Sequence, residues 1–512
     1  MELVRKNIHM ERIKCSAETQ ITLEDDRNVP DQKPDMERII LRRGEVKTEE
    51  IKATEDKVNI KGKLLFAILY RTEEDSVSYI EGELPFEEQV YMECVQSGDN
   101  VEVDAELEDL SVEMINSRKL SIRALVSLEL ETEELYDEEL AVDLYHEEAV
   151  ETKKTMLTVA EIAIQKKDIL RRREELEMPQ NFPNIFEILW KEVRVNALNF
   201  EALDNQISVQ GELEVFLLYE GEGEERPLKC YEKVIPFREI LDCQGSGEKM
   251  IEDISGRISH SELEVRTDDD GEERIVCLDL LLDLNIKLYE EEGLEALSDA
   301  YGITENIMTV KRQGLLNRRV LRATGKTKLT EQVKLPASLP EMAEIYHSSA
   351  SAVLEATEMV EGGAEVIGTL SMTILYRAEN GELASFEAQM PFEYMMTVPD
   401  MAENCRYRIV PVPEQSSAAM LSGSEMDLKA VVAFELLGFC SSEEEMICDI
   451  SMEKVDTSVI NELPGIVAYI AREGDNIWEL GKKYYVPLER IREINQLSGD
   501  VLKSGEKVLV VR

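Results

Sequence analysis

Val58-Asn-Ile60-Lys-Gly62-Lys-Leu64, running on to Ile68-Leu69-Tyr70, alternates apolar and polar residues around a central glycine. The same pattern returns as Ile207-Ser-Val209-Gln-Gly211-Glu-Leu213 to Leu217-Leu218-Tyr219, and as Glu365-Val366-Ile367-Gly368-Thr-Leu370 to Ile374-Leu375-Tyr376. In each case the tyrosine stands 8 residues after the glycine. A Pro-Phe pair follows each tyrosine: Pro85-Phe86, Pro236-Phe237 and Pro391-Phe392. A proline stands 32 residues before each glycine (Pro30, Pro179, Pro336), with a second 4 residues later (Pro34, Pro183, Pro340). Matching offsets at three places define an internal repeat, the feature to establish before any local reading.

Outside these landmarks the period is again two, the signature of half-buried strands. Leu120-Ser-Ile122-Arg-Ala124-Leu-Val126-Ser-Leu128-Glu-Leu130 alternates cleanly, as do the runs from Val276 to Ile286 and from Met426 to Leu436. Turn signals such as Asp268-Asp-Asp-Gly271 and Glu379-Asn-Gly381 separate the strands. The expected fold is mostly β: three tandem antiparallel β-sandwich-like repeats of ~100–130 residues, spanning 16–140, 155–292 and 315–455. The repeated glycine marks a bulge or a close backbone approach within its strand. Pro34-Asp-Met-Glu-Arg-Ile39, Pro183-Asn-Ile-Phe-Glu-Ile188 and Pro340-Glu-Met-Ala-Glu-Ile345 read as helix starts, because proline and acidic groups suit a first turn and Met36, Ile39 and Ile40 follow helical spacing. A short helix in each repeat is therefore expected. Asp143-Leu-Tyr145 and Asp299-Ala-Tyr301 occupy matching places after the first two repeats, while the third offers Asp449-Ile-Ser451. Those tyrosines either tie one unit to the next or close their own unit, the second reading being favoured. Residues 150–178 and 302–334, richer in Lys and Arg, lead into the following repeat.

The 512-residue chain carries 57 basic and 107 acidic residues, a net charge of −50. Residues 1–463 hold 49 basic against 100 acidic residues, so the excess lies in the repeats. Such a body repels phosphate backbones and anionic lipid, which argues against nucleic-acid binding. No apolar run reaches the ~20 residues needed to span a bilayer as a helix, and Glu2 and Glu11 bracket too short an apolar run for a secretory signal. A cytoplasmic protein is expected. The eight cysteines include no C-x-x-C pair and the four histidines are far apart, so no zinc spacing is present. The cysteines are expected to be reduced, with Cys277 buried inside an alternating run. His9, His146, His260 and His347 do not share repeat positions, and acidic pairs such as Glu133-Glu134 lie in charge runs. No catalytic couple, metal site or cofactor motif emerges.

The tail differs from the rest. Val467-Ala-Tyr469-Ile470, Gly474-Asp475-Asn476-Ile477-Trp478, Val486-Pro487-Leu488, Ile491, Ile494-Asn495 and Leu502-Lys-Ser-Gly505-Glu-Lys-Val508-Leu509-Val510 follow one another in the order strand, Gly-Asp turn, two short helices and strand. Residues 464–512 resemble a LysM domain, a small βααβ binding module. The threefold unit resembles the SPOCS (DUF3794) domain of spore-coat-associated proteins. Three such units followed by one LysM domain are similar in layout to spore-coat morphogenetic proteins of endospore formers. That resemblance implies a non-enzymatic scaffold in the mother cell, at the forespore surface or spore coat. It also implies that the LysM domain docks on a SpoIVA-like coat ATPase beside other coat proteins. The alternative it leaves is binding of peptidoglycan, an N-acetylglucosamine-type glycan of the cortex or wall.

Within the module, Asn476 is placed to cap the helix beginning at Ile477, where LysM domains usually carry Thr. In glycan-binding members the Gly-Asp turn and the loop before the last strand form a shallow groove. Carried over, that groove comprises Gly474, Asp475, Asn476, Ile477 and the segment Gly499, Asp500, Val501 and Leu502. Ile477, Leu480, Gly481 and Tyr484 form the helix's inner stripe. Trp478 falls beside it with Lys482, and is either core-edge packing or an interface anchor, a role tryptophan favours. Lys482 and Lys483 are either solvated or steer an acidic partner.

Overall fold

The computed structural model describes residues 2–146, 150–399, 405–454 and 464–512. The first unit comprises β1 (Glu2–Asn28), β2 (Met36–Thr54), β3 (Lys57–Thr72), β4 (Val77–Tyr91), β5 (Val101–Asn116) and β6 (Lys119–Tyr145). The second comprises β7 (Val150–Glu177), β8 (Ile185–Leu203), β9 (Gln206–Gly221), β10 (Leu228–Asp242), β11 (Ile251–Thr267) and β12 (Glu273–Gly302). The third comprises β13 (Glu305–Lys334), β14 (Met342–Val360), β15 (Gly363–Ala378), β16 (Leu383–Thr397), β17 (Cys405–Ser422) and β18 (Glu425–Lys454). Each unit is two three-stranded antiparallel sheets. In the first, one sheet has the order β2-β3-β4 and the other β1-β6-β5, and both later units repeat the scheme. The alternating faces of the two sheets enclose each unit's core, such as Ile207, Val209 and Leu213 against Val276, Leu278 and Leu280. The sandwich expectation therefore holds. The Lys- and Arg-rich segments that lead into repeats two and three are themselves strands, β7 and β13.

The repeat landmarks have physical roles. Each glycine lies opposite the phenylalanine of its Pro-Phe pair, Gly62 facing Phe86, Gly211 facing Phe237 and Gly368 facing Phe392. A Cβ there would stand 2.6, 2.9 and 2.6 Å from the ring's Cζ, so the ring lies across bare backbone that no other residue provides. The neighbouring strand also bulges beside each glycine. Each tyrosine is wholly buried, and its hydroxyl donates to the carbonyl of the second proline: Tyr70 to Pro34 (3.0 Å), Tyr219 to Pro183 (3.2 Å) and Tyr376 to Pro340 (3.0 Å).

The helix expected after that proline is not formed; Met36–Thr54, Ile185–Leu203 and Met342–Val360 are strands. Two bulges explain the misleading spacing. Register shifts fall between Met36 and Arg38 and between Ile39 and Leu41, with counterparts at Ile185/Glu187 and Ile188/Trp190 and at Met342/Glu344 and Ile345/His347. Each bulge inserts a residue, so two of them convert a two-residue period into one that imitates a helix. They also turn Ile40 and Leu189 away from their own sandwiches. There they join Leu69, Leu218 and Leu375, the residues just before the three tyrosines, in a cluster fed by all three units. Full burial of each such side chain contributes about 1.5–3 kcal/mol.

A second shared cluster comes from the long strands. Beyond Thr132, Tyr289 and Cys440, strands β6, β12 and β18 pair only with β1, β7 and β13, forming three two-stranded ribbons. Ile8, Met10 and Leu140 of the first ribbon pack with Leu157, Val159, Leu294 and Ala296 of the second and Leu316 and Met446 of the third. At the root of these ribbons Lys287 and Glu11 are buried together, Nζ to Oε2 3.2 Å, with Glu133 and the Tyr289 hydroxyl completing the group.

Two cysteine expectations are corrected. Cys405 and Cys440 face each other across β17 and β18 with Cα atoms 4.1 Å apart and form a disulfide. Cys277 is half-buried, and the buried free thiol is Cys243.

At the joint between the second and third units, His347 stacks on Phe216 with ring centroids 3.9 Å apart. Its ring nitrogens lie 3.5 Å from Glu192 and 3.2 Å from Glu232. Burial pulls the imidazole toward neutrality, but the two carboxylates more than offset it and raise His347 above its ordinary 6.5. Burial works against the Glu192 carboxylate too, yet His347 and Arg194 hold it at about 2. The histidine's contribution to stability is thus complete below its ordinary 6.5 and is lost as pH rises through the raised value. The Glu192 contribution is complete above its ordinary 4.5 and is lost as pH falls toward 2. Thermal stability is expected to decline as pH rises above 6.5 through the raised His347 value, and His347→Gln to flatten that decline. Equal slopes in differential scanning fluorimetry for both proteins would contradict this.

Candidate functional site

The C-terminal module pairs β19 (Ile466–Ile470) with β20 (Lys507–Val511) and packs α1 (Ile477–Tyr484) and α2 (Leu488–Asn495) against them. Its core is Ile477, Leu480, Val486, Leu488, Ile491, Leu502, Val508 and Val510. Asn476 caps α1 from an extended conformation, its Oδ1 accepting from the Glu479 amide at 3.0 Å. The Asp475 carboxylate accepts from the Tyr469 hydroxyl (2.7 Å) and the Arg472 amide (2.8 Å), which hold it below its ordinary range.

The two loops of the expected groove do come together. The Ile477 amide donates to the Asp500 carbonyl and the Leu502 amide to the Asp475 carbonyl, both at 2.9 Å, and Asn476 bridges Val501. Ile477 and Leu502 point inward and are buried. Gly474, with φ +90°, Gly499 and Asp500 are exposed, and Val501 stands 76 % exposed on the rim. Arg492 pairs with Asp500 at 2.7 Å. This face is exposed, with Gly474, Gly499, Asp500 and Val501 at the surface.

The helical face is different. Trp478 is only 5 % exposed, and its indole Nε1 donates to Asp299 at 2.9 Å. Lys482 reaches both oxygens of the same carboxylate at 2.6 and 2.7 Å. Tyr301 packs edge-on against Trp478, centroids 5.0 Å apart, and its hydroxyl donates to the Val486 carbonyl at 2.8 Å. Glu151 accepts from the Leu488 amide at 3.2 Å. Gly481 lacks a side chain where the Tyr301 hydroxyl and the Val486 carbonyl approach it.

Trp478 is therefore an anchor, but an internal one: it seats the module on the tip of the second unit's ribbon. Lys482 is paired rather than solvated. The reading of the Asp-x-Tyr segments changes as well, because Tyr301 neither closes its own unit nor joins the next but grips the terminal module. Asp299 and Tyr301 carried a sequence signal in their matching repeat positions; Glu151 carried none.

The chain is thus a body of three like β units with a small βααβ module clamped on one ribbon, leaving one face of that module open. Family models bear directly on this layout. The model described as SipL, SPOCS domain matches residues 35–115, 184–266 and 341–421, and the LysM domain model matches 469–511. The chain carries three SPOCS domains followed by one LysM domain, both binding or adaptor types rather than catalytic ones. Each SPOCS match covers the four middle strands of a unit, while the long first and last strands that complete the sandwich lie outside it. No curated protein and no solved structure matches the chain. Among the described residues no helix is long and apolar enough to cross a membrane.

Proposed function

We propose that this protein is a non-enzymatic adaptor of spore-coat assembly, acting on the mother-cell side of the forespore surface. Its LysM domain docks on a SpoIVA-like coat ATPase through the open face of Gly474, Asp475, Asn476 and Gly499–Val501, and the SPOCS units offer surface to other coat proteins. The observation that carries this reading is the division of labour on the LysM domain. Trp478 and Lys482 are consumed in seating it on the second unit, so the exposed loops at Gly474 and Gly499–Val501 are what a partner can reach. The three units join through shared apolar clusters and a buried ion group, which suits a rigid platform with one outward docking face.

Val501→Glu tests the face, since Val501 contributes nothing to the core. Capture of the coat ATPase by the full chain is expected to fall at least ~10-fold, or ~1.4 kcal/mol. Undiminished capture would remove that face from the proposal. A second reading is favoured by the groove itself: two apposed loops with little side-chain bulk fit an N-acetylated sugar chain of peptidoglycan. Co-sedimentation of the full chain with purified peptidoglycan, lost in Val501→Glu, would favour glycan as the ligand.

A further inference from the structure

We propose that the tip of the first unit's ribbon, formed by Glu2, Asp143 and Tyr145, is a second seat for a LysM domain, and that its occupant is the LysM domain of another copy of this chain. The seat already filled consists of Asp299, Tyr301 and Glu151. In the second unit Tyr301 pairs across the ribbon with Glu151, and in the first Tyr145 pairs with Glu2. The Asp-x-Tyr spacing is the same, and so is the bulge that precedes it: one shift falls between Leu297 and Asp299, the other opposite Ala141 and Asp143. The two aspartates are oriented alike, each accepting from the next residue's amide, Ala300 at 2.9 Å and Leu144 at 2.8 Å. The first ribbon thus reproduces the three side chains that hold Trp478, Lys482, Val486 and Leu488 in the second.

Occupancy is what distinguishes them. Tyr301 is 2 % exposed beneath the LysM domain, whereas Tyr145 is 69 % exposed. Asp143 is matched by Lys154 at 3.1 Å in a solvent-facing pair that Lys482 of an arriving domain can replace. The third ribbon presents Asp449-Ile450-Ser451, with no tyrosine to reach the Val486 carbonyl. Each copy therefore has two seats and one LysM domain, so a seat remains open whenever the domain rests on its own chain. A LysM domain of one copy on the Tyr145 tip of the next is a head-to-tail contact, which propagates unless its rotation closes a ring. At the high local concentration of an assembling layer, exchange from the internal seat to a neighbour's would link copies.

The test is sedimentation velocity of the full-length chain across a concentration series. Tyr301→Ala loosens the internal seat and is expected to bring the onset of self-association to at least ~10-fold lower concentration. Asp299→Asn loosens the same seat without removing a packed side chain and should act in the same direction. Adding Tyr145→Ala, an exposed position whose loss spares the fold, should return either variant to monomer. Two outcomes overturn the proposal. One is that both seat variants remain monomeric at every concentration, as they would if the freed domain settled on its own chain's Tyr145. The other is that self-association survives Tyr145→Ala.

Discussion

Lys287→Ala is expected to destabilise the chain by about 3–5 kcal/mol, because it leaves a carboxylate buried without its cation. The Lys287 side chain is 5 % exposed and that of Glu11 is 2 % exposed, so neither charge has water to fall back on. Burial alone would pull the ammonium down, but Glu11 and Glu133 more than compensate and raise it above its ordinary value. Burial pushes Glu11 up, and even Lys287 beside it does not bring the carboxyl back to its ordinary range. With the lysine gone, Glu11 and Glu133 would face each other in a site that also holds the Tyr289 hydroxyl. Urea denaturation at neutral pH should report the loss. A raised carboxyl is relieved by protonation, so the deficit should shrink as pH falls through the Glu11 value. Glu11→Gln added to Lys287→Ala should recover part of it. A loss below ~1 kcal/mol would mean that the ribbon roots open to water and that this group does not lock the first unit to the second.

That group also marks the limit of what the repeat pattern conveys. Gly62, Gly211 and Gly368 stood out because the sandwich needs a bare backbone under each phenylalanine in every copy, and threefold repetition made that need visible. Tyr70, Tyr219 and Tyr376 were legible for the same reason. Glu11, Lys287, His347 and Glu192 lie where two different units meet, so each occurs once and no periodicity reveals it. The helix expected after Pro34 failed on a local ambiguity: apolar residues at Met36, Ile39 and Ile40 fit a helical face and a doubly bulged strand equally well. Only pairing with β3 decides between them. The disulfide was hidden for a similar reason, since Cys405 and Cys440 have no sequence signature and meet only through the register of β17 against β18.

The terminal module was legible in its fold and its loops. The Asn476 cap and the inner stripe of α1 followed from residue types at fixed spacing, and the meeting of the two loops from the resemblance to LysM domains. What the sequence concealed was which face of the module is used internally. Trp478 and Lys482 have the chemistry of an interface and do form one, but the partner is a ribbon tip 179 and 183 residues away in the same chain. The Asp-x-Tyr repeat hinted at that tip without indicating what it would hold.

Asp299→Ala should therefore weaken the seating of the LysM domain by ~1–3 kcal/mol, the scale of lost hydrogen bonds to a charged group, reduced by the 40 % exposure of the Lys482 side chain. Burial would raise the Asp299 carboxyl, but Lys482 and Trp478 hold it below its ordinary 3.8. Its contribution is thus complete at neutral pH and is lost only as pH falls below 3.8 through the lowered value. Removing it strips the acceptor from the Trp478 indole and the counter-ion from Lys482, while Tyr301 and Glu151 still hold Val486 and Leu488. The seat should consequently loosen rather than vanish. Acrylamide quenching of Trp478, read in a Trp190→Phe background, should increase markedly in Asp299→Ala. The open face is built from other residues of the module, Gly474, Asp475 and Asn476 apposed to Gly499, Asp500 and Val501. Its ligand binding should therefore persist in Asp299→Ala and fail only in Val501→Glu. If Asp299→Ala abolished ligand binding as well, the two faces would not be independent, and the partner would have to be reading the module together with the ribbon that seats it.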